Sequence, residues 1–179
     1  MKSLESIQKV FNVFKTLSKV GMVFCIVIAS LCVLGALCVF VVSIGVSAFS
    51  IFGEPLDVYV VGSDYKESLA VMLSTTFILV GEAILLGNSY HYFKKEENDG
   101  TPFTHSGADS IRRLGIRYIY IPIVSIVIAT VIFEIFGIES TNDLMDFSNV
   151  FSLTTGIILI LASLIFNYGA ELEEKVKNA

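Results

Sequence analysis

The chain has no tryptophan, only three cysteines and few charged residues for its length. Its 179 residues are 54% hydrophobic and 16% charged, whereas soluble domains are about 25% charged. The apolar excess is concentrated in runs of about twenty or more residues, which is typical of membrane spans. The composition therefore excludes an ordinary soluble domain, and the length indicates a single integral membrane domain, residues 1–179.

The cysteines, Cys25, Cys32 and Cys38, all lie in the first apolar run. Their spacing matches neither a zinc site nor a redox pair, so we interpret them as small packing residues. The sequence also contains no Gly-rich phosphate loop, nucleophile elbow or two-histidine helix motif. Since no nucleophile–base arrangement is visible, we expect no enzymatic activity, no catalytic residue and no cofactor.

Four apolar runs predict an all-α membrane protein with four transmembrane helices in an up-down bundle. The expected spans cover about residues 20–52, 68–93, 111–138 and 150–169, and Pro122 predicts a kink in the third span. Residues 1–19 repeat apolar side chains with helical period and carry lysines on the other face. We therefore expect an amphipathic helix lying in the membrane interface, with a solvated start to the first span as the alternative.

The basic residues fall on one side of these spans. Of the 12 lysines and arginines, all but Lys66 lie in the terminal segments or in residues 94–117. The positive-inside rule therefore predicts a multi-pass protein of the cell membrane with both termini and the 94–110 connection in the cytoplasm. We expect these residues to contact membrane lipids. They are too few and too close to the membrane to bind nucleic acid directly.

Glu82 is the most unusual residue for a membrane span. An ionised acid at mid-membrane costs roughly 2.5–3.5 kcal/mol on insertion scales, so it should face other helices and find a partner. We predict an intramembrane pair of Glu82 and Arg117 in the inner half of the bilayer, with Arg113 as a second partner one turn away. Such a pair is either a structural lock or a proton- or ion-sensitive site. Glu134, near a span end, we interpret as structural.

The connection between the second and third spans has the most varied chemistry. Ser106 and Asp109 resemble a capping box, which would leave His105 before the helix start. His105 and Asp109 also lie four residues apart, but third and fourth ligands are not evident, so we predict no metal site. Phe103, His105 and Arg112 are the candidate contacts for a cytosolic partner. Phe103 would be the apolar anchor or, alternatively, a hydrophobic staple on the next helix.

A narrow seam of mostly small residues runs along the first span. Its members alternate in steps of four and three: Cys25, Ala29, Cys32, Ala36, Val39 and Ser43. Small side chains let another helix approach closely. That helix belongs either to the same chain or to a second copy, so the seam is also a candidate for homo-oligomer formation.

A family resemblance appears in the connection. Asp99-Gly-Thr-Pro-Phe-Thr104, followed by Ile111-Arg-Arg-Leu-Gly115, resembles a segment in a family of small four-span prokaryotic membrane proteins of unknown function. In that family a G-x-P-F-T turn leads into a helix with an R-x-G-like start, and a G-x-x-L-x-x-E tail ends the chain. Residues 166–174 are similar to that tail, although the chain here ends in Lys175-Val-Lys-Asn-Ala179.

Members of that family are often encoded beside a small helix-turn-helix regulator. The resemblance therefore implies a regulatory or interaction protein with a cytosolic regulator as its partner, and it supplies no catalytic residues. Residues 94–117 and 170–179 would hold that partner. The alternative is a small transporter or channel subunit in which Glu82 and Arg117 line a polar path.

Overall fold

The computed structural model describes residues 2–43, 50–51, 54–55, 65–99, 104–138 and 147–177. Within these ranges the chain forms four helices, α1 (Lys2–Ser43), α2 (Tyr65–Asp99), α3 (His105–Phe136) and α4 (Phe147–Lys177). Between α1 and α2, β1 (Ser50–Ile51) pairs antiparallel with β2 (Glu54–Pro55). All four helices are long and apolar enough to cross a membrane. Apart from this two-residue strand pair, the predictions of an all-helical fold and of four span-length helices are therefore confirmed.

Consecutive helices are antiparallel neighbours. Gly21 of α1 approaches Leu86 of α2, whereas Gly35, further along α1, approaches the earlier residue Met72. The other main helix contacts join α2 to α3 and α3 to α4. Short connections between successive helices favour this arrangement.

The outer surface of the described helices is apolar. Side chains that are more than half exposed include Phe24 and Leu34 on α1, Ile135 on α3 and Leu164 on α4. Helix α2 exposes Phe77 and Ile84. The buried residues, by contrast, are mostly alanine, serine and glycine. Large apolar side chains outside and small ones inside are the pattern of helices whose surroundings are lipid. The four helices are thus compatible with a multi-pass membrane protein.

Helix α1 is continuous, which differs from the prediction of a separate helix over residues 1–19. No glycine or proline lies before Gly21, so nothing in the sequence stops the helix near Lys19. Phe11 and Phe14 instead contact Phe93 of α2, with ring centroids 6.1 and 5.5 Å away. The first turns of α1 therefore extend the first span along α2. Whether they also touch the membrane interface stays a prediction.

The far end of the first span also differs from the prediction. Helix α1 ends at Ser43, and Ser50–Ile51 belongs to the β1–β2 pair, so the helix does not reach residue 52. Valine, isoleucine and phenylalanine favour extended as well as helical structure, and an apolar run alone does not distinguish the two.

The connection between α2 and α3 is shorter than predicted because α2 continues to Asp99 and because Thr104, and not Ser106, caps α3. The Thr104 backbone is extended, and its side chain accepts a hydrogen bond from the Gly107 N–H at 2.9 Å. Threonine is a favourable N-cap because its hydroxyl binds one of the free N–H groups of the first turn. His105 is consequently the first residue of α3, and Ser106 lies within the first turn.

The seam of small residues on α1 faces α2. Ala29, Ala36 and Val39 are buried, and the last two form a core cluster with Leu69 of α2. Cys25 and Cys32 are half-buried on this side, whereas Cys38 is exposed. Within the described residues the seam is therefore covered by the same chain. A homo-oligomer, which stays a prediction, would need another face.

Helices α3 and α4 cross at two glycines. A Cβ atom added to Gly115 would lie 2.8 Å from the carbonyl oxygen of Gly156, and one added to Gly156 would lie 2.9 Å from the carbonyl oxygen of Gly115. Only glycine allows this approach, because the contacts are between backbones.

At its C-terminal end α3 stops at Gly137, which adopts the left-handed conformation (φ 68°) typical of a helix C-terminus.

Candidate functional site

Glu82 lies at the midpoint of α2 and is half-buried between helices. Its Oε1 accepts a hydrogen bond from the Ser152 hydroxyl of α4 at 3.4 Å. The neighbouring Gly81 packs against the hydroxyl of Ser125, which is itself buried in α3. One hydroxyl, that of Ser152, therefore contacts the carboxylate, and a second, that of Ser125, lies against the residue before it.

The structure does not bring Glu82 and Arg117 together. The Arg117 guanidinium instead donates to Asn88 Oδ1 at 2.6 Å. Arg117 lies opposite Asn88 in the antiparallel pair. Glu82 comes six residues before Asn88 on α2, which places it about 9 Å from that level along the helix axis. Within the part of the chain that the structure describes, neither Arg117 nor Arg113 forms an ion pair with Glu82.

Side-chain contacts join α1, α2 and α3 at the end where α2 finishes. Lys15 of α1 forms an ion pair with Glu97 of α2 at 2.5 Å. Lys95 of α2 donates to the hydroxyls of Ser106 and Ser110 at the start of α3, at 2.8 and 3.2 Å. We call the end of the molecule that contains Lys15 of α1, Lys95 of α2 and Arg117 of α3 the basic end.

His105 extends these contacts to α4. Its Nδ1 lies 2.8 Å from Asn167 Oδ1, and its Nε2 lies 3.8 Å from a carboxylate oxygen of Glu174. Because an amide oxygen only accepts, Nδ1 donates in this contact. The Asn167 amide in turn donates to Glu171 at 3.2 Å. All four helices are thus joined by polar side chains at the basic end.

The predicted partner contacts have different outcomes. Phe103 lies outside the described residues. His105 and Arg112 are both exposed at the basic end, although His105 already contacts α4. Among the residues that the structure describes, no group of three histidine, cysteine or acidic side chains is placed to hold a metal ion.

Glu96 was placed by the sequence in a polar connection, but it lies inside α2 and is fully buried, at 0% exposure. It shares a helix face with Tyr92, one turn earlier, which packs on Ile111 and Leu114 of α3. The predicted second span ends near residue 93. Because α2 instead continues to Asp99, Glu96 lies on its inward face and is buried.

A pocket of about 210 Å³ lies between α2 and α3 at the basic end. We call it the basic pocket; it is lined by Asn88, His91, Tyr92, Lys95, Ser110, Arg113, Leu114 and Arg117. The spacing that brings these lining residues together is visible in the sequence. The α2 residues 88, 91 and 95 and the α3 residues 110, 113 and 117 have the same steps of three and four, which place each set on one helix face.

A longer apolar groove lies between α1 and α2. It measures about 580 Å³, and its walls include Met22, Ile26, Val80 and Ile84. Asn88 and His91 belong to both the groove and the basic pocket. The two spaces are therefore adjacent, one apolar and one cationic, and they share these two residues as walls.

No known family model matches the sequence, and no curated protein or solved structure is significantly similar to it. The resemblance of residues 99–104 to small four-span membrane proteins stays a prediction.

Proposed function

We propose that the chain is a non-enzymatic, multi-pass integral membrane protein that binds a cytosolic partner at its basic end. One observation carries the proposal: polar side chains join all four helices at that end, from Lys15–Glu97 to His105–Asn167. A surface held together in this way is pre-organised, which lowers the entropic cost of binding. Arg112 projects from it and is exposed.

In this proposal the helices form an up-down bundle in the cell membrane, with the basic end and both termini in the cytoplasm. The excess of lysine and arginine at that end supports the orientation. The first turns of α1 contact the membrane interface, where exposed Val10, Val13 and Leu17 meet the acyl boundary. The partner is a soluble regulator, as the resemblance of residues 99–104 implies.

Cross-linking in intact cells tests the partner. A photo-reactive amino acid replaces Arg112 in the full-length chain, and the matched control carries it at Ile135, an exposed residue at the other end of α3. We expect a discrete protein-sized adduct from position 112 and none from position 135. Adducts of equal yield from both positions, or a repeated absence of any from position 112, would contradict the proposal.

A small transporter or channel subunit is the second candidate, and Glu82 is the observation that favours it. A carboxylate half-buried at the midpoint of a span costs free energy and is often retained for function. The Ser152 hydroxyl donates to its Oε1 at 3.4 Å, and within the described residues no hydrogen bond to its second oxygen competes with a proton or cation. In this proposal Glu82 alone carries the proton or cation, and Arg117 is outside the path.

Proton flux tests this second candidate. Wild-type chain and Glu82→Gln are reconstituted into liposomes, and flux is followed with an internal pH-sensitive dye. If Glu82 carries the proton, Glu82→Gln reduces flux to the level of empty liposomes. Glu134→Gln is the matched control, because Glu134 is exposed near the other end of α3, and it keeps wild-type flux. Wild-type liposomes no leakier than empty ones would exclude proton transport.

A further inference from the structure

We propose that the basic pocket and the apolar groove together bind one anionic phospholipid. The phosphate occupies the pocket between α2 and α3, and an acyl chain follows the groove between α1 and α2. This site is distinct from the exposed surface around Arg112, and it does not depend on a cytosolic partner.

The charge of the pocket selects an anion. Lys95, Arg113 and Arg117 line it, and no acidic residue does. Among the described residues, none of these three cations forms an ion pair. Arginine presents several N–H donors in a planar fork that matches the oxygens of a phosphate. The pocket therefore presents three positive charges that no ion pair within the described part of the chain neutralises.

Neighbouring side chains hold two of these cations in place. Asn88 Oδ1 accepts from Arg117 at 2.6 Å, and the hydroxyls of Ser106 and Ser110 accept from Lys95. Tyr92 also lines the pocket, and its buried hydroxyl has no hydrogen-bond partner within the described ranges. An unpaired buried hydroxyl is costly, and a phosphate oxygen in the pocket is a suitable acceptor.

The depth of the pocket matches the headgroup region of a bilayer. Residues 118–133 of α3 contain no charged side chain, and they are about 24 Å long at about 1.5 Å per residue. This length is close to the ~30 Å of a hydrocarbon core. Arg117 lies immediately outside that stretch and therefore at the boundary where phosphates lie.

The groove distinguishes a lipid from a soluble phosphate compound. On α2 it extends from Thr76 to His91, or about 22 Å. That is longer than one leaflet of a ~30 Å hydrocarbon core, so a full acyl chain fits along it. A free phosphate would use the pocket and leave the groove without a ligand. The two spaces share Asn88 and His91 as walls, so a headgroup in one and an acyl chain in the other can belong to one molecule.

Lipid titration of the purified full-length chain in neutral detergent tests the proposal. Native mass spectrometry measures binding of phosphatidylglycerol, with phosphatidylcholine and inorganic phosphate as comparison ligands. We expect phosphatidylglycerol to bind most tightly. Arg113→Gln and Arg117→Gln should each weaken it about five-fold, since a basic residue near anionic lipid contributes about 1 kcal/mol. Arg113→Lys keeps the charge and should bind more tightly than Arg113→Gln.

Arg112→Gln is the matched control, because Arg112 carries the same charge one residue away and does not line the pocket. It should bind phosphatidylglycerol as the wild type does. Ser30→Leu tests the groove, which exposed Ser30 lines: it should weaken phosphatidylglycerol and leave inorganic phosphate unchanged. Circular dichroism and thermal unfolding of each variant separate a binding defect from misfolding.

Three results would overturn the proposal. Equal losses in Arg112→Gln and Arg113→Gln would show a diffuse charge effect without a site. Equal affinity for phosphatidylcholine and phosphatidylglycerol would remove the role of net charge. Inorganic phosphate binding as tightly as phosphatidylglycerol, with no effect of Ser30→Leu, would identify a soluble ligand. A failed cross-link at position 112 would refute the cytosolic partner and leave the lipid site standing.

Discussion

Replacing Gly156 by valine is expected to separate α3 from α4 and to lower the free energy of unfolding by about 3 kcal/mol, the upper part of the range for overpacked cores. The first added carbon would lie 2.7 Å from Ile119 Cγ1 and 2.9 Å from the carbonyl oxygen of Gly115. The oxygen belongs to the α3 backbone and cannot rotate away. The two helices must therefore move apart along their whole crossing.

Unfolding by sodium dodecyl sulfate in mixed micelles measures this effect, and Gly87→Ala is the control. A Cβ at Gly87 would meet only the sulfur of Met22, at 3.3 Å, and a flexible thioether can shift. Alanine also favours the helix over glycine by about 1 kcal/mol. We expect Gly87→Ala to be as stable as the wild type or slightly more so. A loss in Gly87→Ala equal to that in Gly156→Val would contradict a specific glycine crossing.

Replacing Leu85 by alanine is expected to lower the free energy of unfolding by about 2 kcal/mol. Leu85 is the largest fully buried side chain among the described residues, at 0% exposure. Leucine-to-alanine changes in soluble cores cost about 2–5 kcal/mol, partly for transfer and partly for the cavity. Lipid is as apolar as leucine, so the transfer part nearly vanishes in a membrane and the low end of the range applies.

The same unfolding assay checks this expectation against Leu161→Ala. Leu161 is 55% exposed on α4, so its removal leaves no cavity and should cost almost nothing. The difference between the two variants isolates helix packing from side-chain hydrophobicity. If Leu161→Ala were as destabilising as Leu85→Ala, the burial of α2 against its neighbours would not be the source of stability.

The number of helices followed from the sequence, but their ends did not. Apolar runs between charged residues sufficed to find four span-length helices. The end of α2 was missed because residues 94–99 are polar yet good helix formers, and the helix continues to Asp99. The start of α3 was missed because Ser106 and Thr104 are both acceptable caps, and only the structure decides between them.

The site was only partly predictable, because it depends on the register of α2 against α3. The basic residues were found, but Arg117 was assigned to Glu82 on the basis of depth in the membrane. The register is decided by close contacts such as Gly81 on Ser125, which place Arg117 opposite Asn88. A shift of less than two helical turns changes a predicted acid–base pair into a pocket of unpaired cations. Such a shift leaves no trace in hydropathy.

The continuity of α1 has a mechanical consequence. Its 42 residues make a rod about 63 Å long, and the helix is unbroken along that length. A change in tilt of about 10° therefore moves the first turn sideways by about 5 Å relative to the middle of the helix. Helices tilt more in thinner bilayers. If the chain spans a membrane as proposed, the thickness of that membrane is thus converted into sideways displacement of the first turns of α1, by about 2–3 Å where Phe11, Phe14 and Lys15 meet Phe93 and Glu97.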